Sequence, residues 1–237
     1  RGSRMFLLLS LFATEANAWE VRLDSAGQEM MWSASDVPYR VNPSGNHGLS
    51  EAAIDTLVAA ATRNWVSPLK GKLTFTQGDR TDVRTPKYED NVNVIYFDEE
   101  WDQDPSLLAL TYVWSNTQGE ILGFDLAVNA TDHSWATDGR ADANDLLNTL
   151  SHEIGHALGI DHSPDIAPAT MYPSSPAGEV QKRDLHDDDV AAAVYLYGGN
   201  DQTSATGCSS VAKAKATWAW VLLLPFLICL RHKERLS

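Results

Sequence analysis

The spacing of apolar and polar residues along the middle of the chain predicts three helices. After Ser50, a favourable N-cap, the apolar residues of 51–65 return on one helical face, namely Ile54, Leu57, Val58, Ala61 and Trp65. A second amphipathic segment covers about 143–158 and ends at Gly159. A third helix runs from about 187 to 197, with an acidic first turn that suits the helix dipole and Gly198 at its end.

Short apolar runs between these helices predict β-strands. One run starts at Tyr39, and three more lie at 92–97, 108–114 and 121–128. Apolar residues are frequent enough in these runs for a sheet with at least one buried face. Residues 19–198 are therefore expected to form one α+β domain, with the second helix in its middle.

The N-terminal residues have the pattern of a secretory signal peptide. Arg1 and Arg4 precede an apolar run at 5–13, and the polar stretch after it ends in Ala-Asn-Ala, so that cleavage is expected after Ala18. A strand or helix of the core is the alternative for this pattern. On the first interpretation the protein is exported, and 1–18 is not part of the fold.

The C-terminal residues have the pattern of an anchor or a sorting signal. Residues 199–217 are small and polar, as in a linker, and 218–237 contain a short apolar run followed by basic residues. The run is shorter than the roughly 20 residues of a membrane span and contains Pro225. This tail resembles the C-terminal sorting tags of myxobacterial surface proteins, which implies that it is removed and that Cys208 carries the anchor. A plain tail anchor is the alternative.

Charge and cysteine content exclude several classes of protein. The chain has a formal net charge of −14, and residues 19–207 hold 30 acidic against 11 basic residues. Such a surface does not neutralise phosphates, so a nucleic-acid partner is excluded. The two cysteines cannot form a disulfide-rich scaffold or a four-cysteine metal cluster.

The second predicted helix carries the residues of a hydrolytic zinc centre. His152 and His156 are one turn apart, about 40° around the helix, so both imidazoles can reach one ion. Glu153 falls beside them without having to ligate the ion. Gly159 can adopt a positive φ, end the helix and turn the chain so that His162 returns as a third ligand. Three neutral nitrogens with an open fourth position are typical of a catalytic zinc site.

Three other interpretations of these residues are weighed against a zinc enzyme. The histidines of a structural helix merely make hydrogen bonds, but that leaves their spacing unexplained. A structural zinc domain needs a fourth protein ligand, and only Asp161, beside His162, complicates the open site. A zinc-containing surface binding module without catalysis would be expected to lack Glu153 or a ligand, and all four residues are present.

The motif HEIGHALGIDHS resembles the zinc helix of the metzincins, and Ser163 after the third histidine points to their matrixin branch. The segment ATMYP resembles the matrixin Met-turn, which implies that Met171 lies beneath the metal and that Tyr172 helps to shape a pocket. VPYRVNP, GEILGFDLAVN and LHDDDVAAAVYLYG resemble other matrixin segments. The resemblance covers most of 36–198 and implies an α+β, metzincin-like fold: a twisted, mostly parallel sheet with a zinc-site helix and a closing C-terminal helix.

The chain departs from the matrixin pattern in three respects. Residues 19–207 contain no cysteine, so latency through a cysteine of the chain is excluded. The loop that holds the family's structural zinc is absent around His133, which is expected to be a surface loop residue. Calcium remains open as a second ion, although the acidic runs 98–100 and 187–189 are typical of solvated faces or helix caps.

The resemblance and the residues together predict a zinc-dependent endopeptidase. Glu153 is expected to be its catalytic base, and an extended peptide is expected to pair with the edge strand at 108–113. Protein or peptide substrates, a monomeric state, and a place outside the cell or on the surface of a bacterium complete the expectation, with membrane contact only through the tail. A catalytically silent zinc-containing surface binding module is the alternative.

Overall fold

The computed structural model describes residues 18–46, 48–88, 90 and 92–198. The predicted linker and tail, and the predicted signal peptide except for Ala18, lie outside the described residues. In the described part of the chain, no helix has both the length and the apolar character needed to cross a membrane.

The described residues contain seven strands and three α-helices. The strands are β1 (Asp36–Asn42), β2 (Thr74–Gln77), β3 (Val94–Asp98), β4 (Ala109–Ser115), β5 (Ile121–Asn129), β6 (Trp135–Ala136) and β7 (Asn144–Asp145). The α-helices are α1 (Glu51–Val66), α2 (Leu146–Ala157) and α3 (Asp187–Tyr197), and single 3₁₀ turns lie at Ser67–Leu69 and Gln181–Arg183.

Five strands form a mostly parallel sheet in the order β2-β1-β3-β5-β4. The pairs β1–β2, β1–β3 and β3–β5 are parallel, and β4 runs antiparallel to β5 at one edge. The short strands β6 and β7 pair with each other just before α2. The predicted α+β fold with a mostly parallel sheet and a closing C-terminal helix is confirmed.

Side chains of β3 alternate between two buried layers. Ile95 and Phe97 belong to the main core, together with residues of α1 and α2, whereas Val94 and Tyr96 pack with Trp101 on the other face. The strand is therefore buried on both sides, as expected for a central parallel strand.

Helix α1 forms as its sequence predicts and supports α2. The Ser50 side chain accepts a hydrogen bond from the Ala53 N–H at 3.2 Å, so Ser50 is the N-cap. At the other end of α1, the buried Trp65 donates from Nε1 to the Ser151 carbonyl of α2 at 2.7 Å. This bond and the packing of the indole fix α2 against α1.

The start of α2 and several strands differ from the sequence expectation, and β1 begins at Asp36 and not at Tyr39. Helix α2 begins at Leu146 and not near 143, because Asp145 caps it by accepting from the Asn148 N–H while Asn144–Asp145 pair as β7. The strand β2 was not predicted, because its residues Thr74–Gln77 are polar or half-exposed and lack an apolar run.

The segment before β1 packs along the chain that leaves α2. The Arg22 N–H donates to the Gly159 carbonyl, and the Asp161 N–H donates to the Glu20 carbonyl, at 2.8 and 2.9 Å. On its other side, the Arg22 carbonyl oxygen accepts a hydrogen bond from the Met30 N–H at 2.8 Å. Residues of this segment are thereby placed beside the end of α2, which no local pattern predicts.

Asp145 is expected to contribute more to stability than an ordinary N-cap. Its side chain is fully buried, caps α2 and accepts from Nε of Arg183 at 2.9 Å. We predict that Asp145→Ala lowers the free energy of unfolding by about 3–5 kcal/mol, because it leaves the partly buried guanidinium without its carboxylate and α2 without its N-cap.

The matched control is Ser50→Ala, which removes the exposed N-cap of α1 and is expected to cost about 1 kcal/mol. Urea unfolding of both variants measures the difference. Equal losses would contradict a special role for the buried pair.

Candidate active site

Three imidazoles converge on one side of α2, where they are buried or half-buried. His152 and His156 lie one turn apart on the helix, and His162 approaches from the segment after it. Its Nε2 lies 3.3 Å from Nε2 of His152 and 3.2 Å from Nε2 of His156. Ligands about 2.0–2.1 Å from a tetrahedral zinc ion are separated by about 3.3 Å, so the spacing of these atoms fits zinc.

Hydrogen bonds at the other ring nitrogen, Nδ1, determine the tautomer of two of these imidazoles. Nδ1 of His152 lies 2.7 Å from the Thr170 carbonyl oxygen, and Nδ1 of His156 lies 2.9 Å from the Ile160 carbonyl oxygen. Because a carbonyl only accepts hydrogen bonds, each Nδ1 carries the proton and each Nε2 keeps its lone pair for a metal.

Burial keeps the three imidazoles neutral. It lowers the pKa of His152 to about 3 and the pKa of His156 well below its ordinary value, and it also lowers the pKa of His162. Neutral imidazole is the form that binds a metal. Within the described residues, this cluster of metal-ligating side chains stops at three, so a fourth position of a bound ion stays open.

Gly159 makes the return of His162 possible. Its φ is +83°, and a Cβ atom there would collide with the Met30 carbonyl oxygen. Its own N–H donates to the His156 carbonyl at 2.9 Å, and the following N–H, of Ile160, donates to Gly155. The chain therefore turns tightly out of α2, and only two residues separate Gly159 from His162.

Met171 lies directly against α2 opposite a glycine. A Cβ atom on Gly155 would collide with Sδ of Met171 and come within 2.7 Å of Cζ2 of Trp65. Both of these side chains are fully buried. The matrixin resemblance implies that Met171 lies beneath the metal. The structure shows its side chain packed against α2, the helix that carries His152 and His156.

Asp189 holds the turn that contains Met171. Its carboxylate accepts from the N–H groups of Thr170 and Met171 at 2.7 and 3.0 Å, and from the N–H of His186 at 2.9 Å. Burial raises its pKa, whereas these hydrogen bonds lower it. The helix cap expected of the run 187–189 is present, since Asp189 and His186 form the capping box of α3. Asp188 and Asp189 are nevertheless buried and do not form a solvated face.

Glu153 is held by the edge strand. Oγ1 of Thr111, on β4, donates to Oε2 of Glu153 at 2.6 Å. Burial raises the pKa of Glu153 to about 7, against the opposing effects of the Thr111 hydrogen bond and the charge of Arg22. Neither Thr111 nor Arg22 was singled out from the sequence, because both are distant from the helix in the chain.

A cleft of about 500 Å³ runs past the three histidines. Residues 107–111 form one of its walls and residues 172–175 form another, so that the predicted edge and Tyr172 both face it. His133 also lines the cleft and lies outside the imidazole cluster, with Nε2 3.0 Å from the Pro105 carbonyl oxygen. It is therefore a cleft residue and not only a surface loop residue.

A buried lysine fixes the loop that follows Met171. Lys182 is 2% exposed, and its ammonium group donates to the Ser174 carbonyl and to Glu179 at 3.2 Å. Its backbone N–H donates to Asn148 in the first turn of α2 at 2.7 Å. The loop wall of the cleft is thus tied to α2 by satisfied polar groups.

Gly155→Ala tests the contact between α2 and Met171. We predict a loss of about 1–3 kcal/mol in the free energy of unfolding, because the added methyl group overlaps two buried side chains. Gly78→Ala is the control, since a Cβ atom there would lie no closer than 3.7 Å to another atom. Thermal unfolding measures both, and a Gly155→Ala protein as stable as the control would contradict this packing.

Comparison with known proteins gives the family. The Matrixin family model (Peptidase_M10) matches residues 31–198. The chain is 26% identical over 195 residues to matrix metalloproteinase-18 of Xenopus laevis, covering 77% of this chain and 37% of that protein. It is 28% identical over 177 residues to karilysin of Tannerella forsythia, covering 72% of this chain and 34% of that protein.

A third relative matches a shorter segment more closely. Metalloendoproteinase 2-MMP of Arabidopsis thaliana is 39% identical over 82 residues, which are 32% of this chain and 21% of that protein. The chain therefore spans well under half the length of these curated relatives. Because the family model covers most of the chain and includes the histidine cluster, the chain belongs to the matrixin family.

Proposed function

We propose that this matrixin is a zinc-dependent endopeptidase. The observation that carries the proposal is the juxtaposition of an open three-histidine site with the carboxyl group of Glu153, inside a cleft bordered by a sheet edge. The metalloproteinase names of its relatives, at low identity, support the same reaction class.

The histidines would hold the metal through their Nε2 atoms. His152 and His156 are oriented by the carbonyls that fix their Nδ1 protons, and His162 completes the set. A zinc ion bound there supplies a water molecule of lowered pKa and a positive charge for the scissile carbonyl oxygen.

Glu153 would transfer the proton. Its Oε2 is engaged by Thr111, which leaves Oε1 to accept a proton from the attacking water and pass it to the leaving amine. Burial raises the pKa of the Glu153 carboxyl group to about 7. A pKa near the working pH suits a group that must both accept and return a proton.

The substrate would bind as an extended peptide along β4. Among the described residues this strand pairs only with β5, so its other side offers backbone groups to a peptide. The facing wall, which includes Tyr172, would contact the side chains next to the scissile bond. Export, attachment through the tail and a monomeric state stay predictions from the sequence.

Two rival functions lack such support. A structural zinc domain requires a fourth protein ligand, and the cluster in the described residues has three members. A silent binding module has no need of an oriented carboxyl group beside the open position, whereas Thr111 orients Glu153 there.

Replacement of Glu153 by alanine tests the proposed base. We expect turnover on a mixed peptide library to fall by at least about 10²-fold, with one zinc ion still bound, because the ligands are untouched. Mass spectrometry of the products measures turnover, and elemental analysis measures zinc. Glu99→Ala, which removes an exposed carboxylate paired with Arg84, is the control and should retain activity.

A Glu153→Ala protein that cleaves at the wild-type rate would contradict the assignment. If the wild type and the variant both hold one zinc ion and neither cleaves any peptide, the binding-module alternative replaces the peptidase.

Replacement of His162 by alanine tests the metal site. We expect zinc to be lost to a chelator at a concentration that the wild type withstands, with affinity reduced by at least about 100-fold, because only two ligands remain. His133→Ala is the matched control, since His133 lines the same cleft outside the cluster. Equal zinc retention by the two variants, measured by competition with a zinc indicator, would exclude the proposed ligand set.

A further inference from the structure

Two cationic side chains line the cleft near opposite ends of α2. Lys182 is tied through its backbone to Asn148 in the first turn of the helix. Arg22 is tied to Gly159, just beyond the last turn. The 12 residues of α2 span about 18 Å, so the two cations belong to different parts of the cleft.

Lys182 already has its counter-charge. Its ammonium group is paired with Glu179 and also donates to the Ser174 carbonyl oxygen. These contacts neutralise the charge at this end of the cleft and satisfy donors of the buried group. Because the Lys182 ammonium group already has these partners, it gives no indication of an anionic ligand.

Arg22 has no such partner in the described part of the chain. Its Nη1 atom is buried and makes no hydrogen bond. Glu153 and Asp161 are the carboxylates that line the cleft with it. Glu153 is engaged by Thr111, Asp161 accepts from the N–H of His162 at 2.8 Å, and neither is ion-paired with Arg22 among the described residues.

The backbone around Arg22 is fixed on both sides. Its N–H and carbonyl groups are hydrogen-bonded to Gly159 and Met30, in strand-like pairing that includes a bridge between Val21 and Ile160. Successive side chains in such a segment point to opposite faces. Val21 packs against the core, so Arg22 points away from the core and into the cleft.

A buried guanidinium N–H without an acceptor is unfavourable, so its presence in a binding cleft indicates an acceptor that arrives with a ligand. The ligand group that matches the planar fork of a guanidinium is a carboxylate. Among peptides, a carboxylate is found on Asp and Glu side chains and at the C-terminus.

We propose that Arg22 forms an anion-binding subsite at the end of the cleft beside Gly159, where it binds a carboxylate of the peptide substrate. The proposal rests on the proposed peptidase function and adds a substrate class to it: peptides with an acidic residue at one fixed distance from the scissile bond. The hydrogen-bonded backbone of Arg22 is already ordered, so it loses little conformational entropy when the peptide binds.

The first experiment maps cleavage sites of the zinc-loaded wild type in a proteome-derived peptide mixture. Asp and Glu are expected to be enriched at a single position. Two fluorogenic peptides, identical except for Glu or Gln at that position, then give kcat/KM. Each peptide is tested with a free and with an amidated C-terminus, which separates a side-chain carboxylate from a terminal one.

The wild type is expected to prefer the Glu peptide by about tenfold or more, in line with a charge-assisted hydrogen bond in a cleft. Arg22→Gln is expected to abolish this preference, and Arg22→Lys to keep part of it. Arg63→Gln, which removes an exposed charge outside the cleft, should leave the preference unchanged. Thermal unfolding of each variant identifies loss of fold.

An unchanged Glu-to-Gln ratio in Arg22→Gln, or no acidic enrichment in the wild type, would overturn the proposal. A preference that requires a free C-terminus assigns the subsite to the terminal carboxylate.

If the wild type cleaves nothing, the proposed function fails separately. Fluorescence polarisation of a labelled Glu-Glu-Glu-Glu peptide and its Gln counterpart on zinc-loaded Glu153→Ala, with and without Arg22→Gln, then tests the subsite by binding, and equal binding of both peptides overturns it.

Discussion

The site depends on the approach of Nε2 of His162 to within 3.2–3.3 Å of the Nε2 atoms of His152 and His156. The helix brings His152 and His156 together through its own periodicity, but it carries the chain away from any third ligand. The turn at Gly159 reverses that direction within one residue of positive φ. Hydrogen bonds from the segment before β1 then hold the returning chain against the end of α2.

Hydrogen bonds and ion pairs of buried polar groups fix the positions of the elements around α2. Asp145 starts the helix and pairs with Arg183, Asp189 holds the turn of Met171, and Lys182 ties the loop wall to the first turn. Each of these groups has its partners in place, which is the condition under which a buried charge supports a unique arrangement. The walls of the cleft are therefore positioned by specific bonds as well as by apolar packing.

The cleft combines an open sheet edge with an uneven distribution of charge. The edge strand β4 supplies both the backbone groups that face the cleft and the hydroxyl group that holds Glu153. Lys182, at one end of the cleft, is neutralised by Glu179, whereas Nη1 of Arg22, at the other end, has no acceptor among the described residues. Backbone pairing would serve many peptides, and charge pairing would select among them.

The sequence by itself determined the features that depend on local periodicity. The spacing of the histidines, the amphipathic faces of α1 and α2, the N-cap Ser50 and the glycine at the end of α2 are all properties of neighbouring residues. The strands β1, β3, β4 and β5 were also predicted, since each is an apolar run. These patterns sufficed for the α+β fold and for the three histidines that the structure brings together.

Tertiary structure alone decided the rest. Thr111 contacts Glu153 across 42 positions of sequence, and Arg183 contacts Asp145 across 38. Arg22 reaches the cleft only because its segment pairs with Gly159. Spacing along a chain specifies which side chains share a face of one element. It does not specify which distant element packs against that face, because that choice is made by the burial and hydrogen bonding of the whole fold.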